Sequence, residues 1–135
     1  MKREIKFRGK RLDNGEWVKG DYFKKIIYRG DDAIIAHYIG WQVIEKGVIW
    51  NEYEEVDPET VGQHTDLGYI FEDDIISVRF APDKDPIPMR VLFENGSWCI
   101  KEYCGDTLHD LYSYEEEIEG VIGNMFDSPE KFITE

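Results

Sequence analysis

The sequence predicts a mainly β protein, built from small antiparallel sheets with short helical pieces. Three observations carry that reading. The 135 residues include four Trp, eight Tyr and seven Phe, and large rings pack well on a pleated surface. Charged and apolar side chains alternate over short stretches, as they do on half-buried strands. Turn dipeptides, Asn14-Gly15 and Asn95-Gly96 among them, separate those stretches.

The elements follow in order. Glu4 to Arg8 places Ile5 and Phe7 on one face with charges between them, a strand pattern. Asp13-Asn14-Gly15 then marks a hairpin, because Asn and Gly both accept positive φ. Glu16-Trp17-Val18 through Tyr22-Phe23 is the returning strand. Ala33 to Ile39 is a further β stretch ending at Gly40. Val48-Ile49-Trp50 continues the pattern before an acidic, proline-containing loop from Glu54 to Glu59.

The second half repeats this grammar. Asp74 to Phe80 reads as a strand, and Ala81 to Pro86, with two prolines that cannot donate to a ladder, reads as a loop. Met89, Val91 and Phe93 alternate inward, Asn95-Gly96 turns the chain, and Trp98 and Ile100 return. Leu108 to Tyr114 is a short helix or an irregular excursion, and Ile118 to Gly123 a last strand. Ser128-Pro129-Glu130 starts a terminal helix with Ser128 as its N-cap and Pro129 at its first position. From Asp74 onward this order suits an SH3-like barrel.

Length fits one domain over residues 1–135, with sub-lobes at 1–68 and 69–135. Hydrophobic residues make up 41% of the chain, enough to bury a core. No apolar run is long enough to span a bilayer, and the opening residues lack the apolar stretch of a signal peptide. The two cysteines, Cys99 and Cys104, do not form a disulfide framework. The expected location is the cytoplasm, with no membrane partner.

Net charge is −13. Residues 1–30 carry ten Lys/Arg against four Asp/Glu, a net of +6, while the remaining residues carry six against 25, a net of −19. The whole chain should repel nucleic acid, whose phosphates need basic partners. Its basic end can pair with the acidic body, within one chain or between neighbours.

No candidate chemistry outweighs its bland counterpart. Cys99, Cys104 and His109 are evenly spaced, but zinc takes four ligands, and His37 and His64 lie far away in sequence. Glu72-Asp73-Asp74 and Glu115-Glu116-Glu117 are acidic runs without the spacing of a calcium loop. Successive strand side chains also point to opposite faces, so solvated turns explain these runs better. Nucleophile elbows, phosphate-cradling loops and dinucleotide fingerprints are all missing, and Gly62 and Gly68 read as turn or close-packing glycines. The N-terminal cations interleave with Phe7, Trp17, Tyr22 and Phe23 like a stacking surface for nucleic acid, a pattern that a strand's polar face also produces. The expectation is no catalytic residue, no cofactor and no metal.

Three stretches together resemble the YopX family of phage and prophage proteins. They are Arg3-Glu4-Ile5-Lys6-Phe7-Arg8-Gly9-Lys10-Arg11 with Asn14-Gly15-Glu16-Trp17-Val18; Val56 to Thr65 with Ile70-Phe71-Glu72-Asp73-Asp74-Ile75-Ile76; and Val121 to Glu130. The chain departs from the family at Asp66 and Asp73, which stand where its members usually carry glycine, and at a shortened Leu67-Gly68-Tyr69 loop. The resemblance implies a phage or prophage origin, a largely β architecture with an SH3-like barrel, and self-association into a homo-oligomer. It carries over no catalytic residue.

The expected function is that of a non-enzymatic accessory protein acting by protein–protein contact, as a homo-oligomer or on a host protein. A second reading is an acidic DNA mimic that inhibits a host nucleic-acid enzyme. A third is a small hydrolase with a dispersed site, which requires a concave pocket of converging polar groups.

Overall fold

A computed structural model describes residues 6–133. Glu4 and Ile5, expected to open the first strand, lie outside the described residues. The chain divides into two compact units, Met1–His64 and Thr65–Glu135, each organised round a five-stranded antiparallel sheet. The fold is mainly β, and no helix among the described residues is long and apolar enough to cross a membrane.

The first unit contains β1 (Phe7–Lys10), β2 (Trp17–Arg29), β3 (Asp32–Glu45), β4 (Val48–Glu55) and β5 (Gly62–Gln63), in spatial order β4-β3-β2-β1-β5. Strand β2 changes partner midway. It pairs with β1 over Trp17–Gly20 and with β3 from Asp21 to Arg29. The change falls at Gly20, where an added Cβ would lie 2.1 Å from the Gly40 carbonyl oxygen. That approach admits only a residue without a side chain.

Three strands run longer than their sequence patterns suggested. Gly40 does not end β3. It sits opposite Asp21 and Tyr53, with the Phe23 ring 3.0 Å from where its Cβ would be, so it is a close-packing glycine within a strand. Strand β2 continues through Ile26 and Tyr28, and β4 takes in Glu52, Glu54 and Glu55, the last two from the expected loop. Ladder hydrogen bonds override low β propensity there. The acidic loop shrinks to a 3₁₀ turn at Pro58–Thr60, opened by Asp57, whose carboxylate accepts the Glu59 amide at 3.0 Å.

The hairpin turns are of different kinds. Lys46-Gly47 and Asn95-Gly96 are two-residue loops with both residues at positive φ (50° and 77°; 52° and 80°), the geometry matched to strand twist. At Asn14-Gly15 only Gly15 has positive φ. The loop there is wider: Arg11 N–H donates to Glu16 O and Gly15 N–H to Arg11 O, both at 2.9 Å.

The second unit contains β6 (Asp74–Val78), β7 (Ile87–Glu94), β8 (Ser97–Glu102), β9 (His109–Asp110) and β10 (Ile118–Asn124), in order β10-β6-β7-β8-β9. The last strand thus lies beside the first, with register shifts in β10 between Ile118 and Gly120 and between Val121 and Gly123. The sheet is not closed into a barrel: among the described residues, its edges β9 and β10 do not pair with each other. Its core gathers Ile76, Val78, Met89, Val91, Trp98, Ile100 and Leu111, all buried. Phe93, expected to face inward with Met89 and Val91, is exposed near the Asn95-Gly96 turn. The excursion before the last strand resolves into β9, the buried Leu111 and a 3₁₀ stretch at Tyr112–Glu117.

One capping expectation fails. Pro129–Lys131 is a single 3₁₀ turn, and Ser128 makes no side-chain cap bond to it. The Ser128 hydroxyl instead accepts the Asn124 amide at 3.3 Å, so the serine secures the end of β10 rather than a helix.

Candidate contact surface

Residues singled out for chemistry are scattered over both units, with Cys99, Cys104, His109 and the acidic runs in the second. Cys99 is buried on β8 and donates from Sγ to Leu92 O at 3.6 Å, and burial pushes its thiol above the ordinary value. Cys104 is exposed in the turn after β8. His109 pairs with Ile100 across β8 and β9 and sets its ring against Phe80 and Tyr114. Among the described residues no group of three or more His, Cys, Asp or Glu side chains is placed to hold a metal ion.

The acidic runs behave differently from one another. Glu115 and Glu116 are exposed, as solvated carboxylates should be. Asp74 is fully buried, and its Oδ2 accepts the Phe71 amide at 2.8 Å. Asp73 accepts from Arg90 Nε and Nη2 at 3.0 and 2.7 Å through one oxygen. These two aspartates lock the entry to β6, where a buried carboxylate must find donors. Gly62 is buried on β5, and Gly68 has a φ of 56° in a turn.

The basic, aromatic N-terminal stretch is occupied by its own chain. Arg8 lies 4.6 Å and Lys10 5.4 Å from the Trp17 ring centre. Phe7 packs against Tyr22, whose hydroxyl pairs with His37 Nδ1 at 2.5 Å. Phe23, Tyr38 and Tyr53 form a mutual ring cluster, with Lys25 5.1 Å from the Tyr53 centroid. Part of the charge asymmetry also closes within the unit, through Arg11–Glu54 at 3.4 Å and Arg29–Glu55 at 3.1 Å.

Large apolar side chains in the same unit stand exposed. On the β2–β3 hairpin, Ile26, Tyr28 and Ile35 are 71%, 75% and 61% exposed, and Ile26 stands directly opposite Ile35. Toward the β3–β4 turn, Ile44 and its cross-strand partner Ile49 are 67% and 59% exposed on one face, and Val48 and Trp50 are exposed on the other. Exposed apolar residues grouped on a sheet mark contact surfaces. Hydrophobicity at these positions is visible in the sequence; exposure is not, because it depends on what the fold lays over a strand. Compared with protein-family models, with curated proteins and with solved structures, this chain matches none of them.

Proposed function

We propose that this chain is a phage or prophage accessory protein of the YopX kind, acting in the cytoplasm by protein–protein contact and self-association rather than by catalysis. The carrying observation is the set of exposed apolar side chains on both faces of β2, β3 and β4, whose burial in an oligomer would be favourable. Charge asymmetry carries less of the case, because Arg11 and Arg29 find carboxylates within their own unit.

Two backbone features support the family reading. Asp66 and Asp73, which replace the family's usual glycines, both have positive φ, 68° and 67°, the conformation that glycine adopts at least cost. The second unit's order, with its last strand beside its first and a 3₁₀ turn leading into that last strand, supports an SH3-like fold.

Light scattering coupled to size exclusion tests self-association. The expected result is an oligomer at low salt that persists near 1 M salt, where surface charge is screened. A monomer under both conditions overturns the proposal.

A further inference from the structure

We propose that the outer edge of β4 pairs with the same edge of a second copy, antiparallel and centred on Asn51. This rests on the self-association just described and names the surface that performs it.

Hairpin geometry decides which backbone groups of β4 face outward. Lys46-Gly47 is a two-residue loop, and Glu45 and Val48 flank it as a pair. In such a hairpin the flanking pair is hydrogen-bonded, and bonded and non-bonded pairs then alternate. Val48, Trp50, Glu52 and Glu54 therefore direct their N–H and C=O groups toward β3, whereas Ile49, Asn51, Tyr53 and Glu55 direct theirs outward. One outward group confirms the phase: Glu55 O accepts the Leu12 amide at 3.1 Å. The edge is thus taken at Glu55, and Val48 to Glu54 has no other strand beside it among the described residues. An open strand edge is a template for pairing.

Symmetry and charge then select the register. Two identical antiparallel strands are related by an axis normal to the sheet, so some residue must face its own copy. Centring on Glu52 sets two carboxylates opposite each other, and centring on Tyr53 sets Glu52 against Glu54. Both are destabilising. Centring on Asn51 opposes no two like charges and spans Val48 to Glu54, the whole of the open edge. It also makes Asn51 and its copy a hydrogen-bonded pair, and sets Ile49 against Tyr53 on one face. On the other face Trp50 meets Glu52. Within one chain, Trp50 Nε1 already donates to the Glu52 carboxylate at 3.2 Å, so the same donor and acceptor types meet across the axis.

The experiment uses the full chain with Cys104→Ser, which leaves only the buried Cys99. In a hydrogen-bonded antiparallel pair the Cα atoms are about 5.5 Å apart, within disulfide range. Under a mild added oxidant that takes up the two electrons, Asn51→Cys is therefore expected to form a disulfide-linked dimer. Ile49→Cys, displaced from its own copy by four positions, is expected not to. Asn51→Pro removes both hydrogen bonds of the central pair while sparing the β3 ladder, and should weaken association at least about tenfold. Circular dichroism checks that each variant is folded, and if Asn51→Pro unfolds, the cysteine pair decides. An oligomer that Asn51→Cys does not cross-link and a folded Asn51→Pro does not weaken overturns this edge and register while self-association stands. A monomeric wild type overturns both.

Discussion

Gly20 shows how much one residue decides here. Its missing side chain lets the β2 backbone pass the Gly40 carbonyl and change partners. Gly20→Ala should cost about 2–3 kcal/mol, read as a lowered urea midpoint. Cys99 and Cys104 differ in accessibility, so a thiol reagent should label one cysteine per chain in the native state and a second only on unfolding. Tyr22 supplies a pH test. Burial holds its phenol above the ordinary value, so the folded chain keeps that proton to higher pH than the unfolded one. Its contribution is intact below about pH 10 and declines as pH rises through the folded value. Tyr22→Phe should lose about 1 kcal/mol with the His37 hydrogen bond at neutral pH, and should show a shallower alkaline decline in urea melts.

The elements divide into those specified locally and those specified by neighbours. Asn95-Gly96 specifies its hairpin outright, because both residues tolerate the positive φ that a two-residue loop requires. Lys46-Gly47 adopts the same geometry with a lysine at φ 50°, a conformation that costs a long side chain more than it costs asparagine. Lys46→Asn should therefore stabilise the β3–β4 hairpin by about 0.5 kcal/mol, measured by thermal melting; an unchanged or lower melting temperature would count against that account. Entry to β6 depends instead on distant partners. Asp73 turns the chain at positive φ, its N–H donates to Val91 O at 2.9 Å, and Arg90 holds its carboxylate. Nothing local in Glu72-Asp73-Asp74 distinguishes that arrangement from a solvated turn.

At the scale of the whole chain, net charge and surface ion pairs oppose each other. A charge of −13 repels itself in the compact state. Arg11–Glu54, Arg29–Glu55 and Arg79–Glu119 are exposed enough to contribute little. Added salt should then relieve more repulsion than it removes attraction, and about 0.5 M salt should raise the melting temperature by a few degrees. A fall would show that these pairs matter more than their exposure implies.

By itself the sequence determined the β class, most strand positions in the second unit, the Asn95-Gly96 turn and the absence of a recognisable catalytic motif. Those features rest on alternation and turn chemistry, which act over a few residues. Tertiary structure alone decided that β2, β3 and β4 run on past Phe23, Gly40 and Trp50, and that Asp74 is buried while Glu115 is not. It also decided that Ile26, Ile35, Ile44 and Ile49 stay exposed while Ile39, Ile75, Ile76 and Ile100 are buried. An isoleucine on a strand carries the same local signal in either place; whether it becomes core or contact surface depends on what the rest of the chain packs against it.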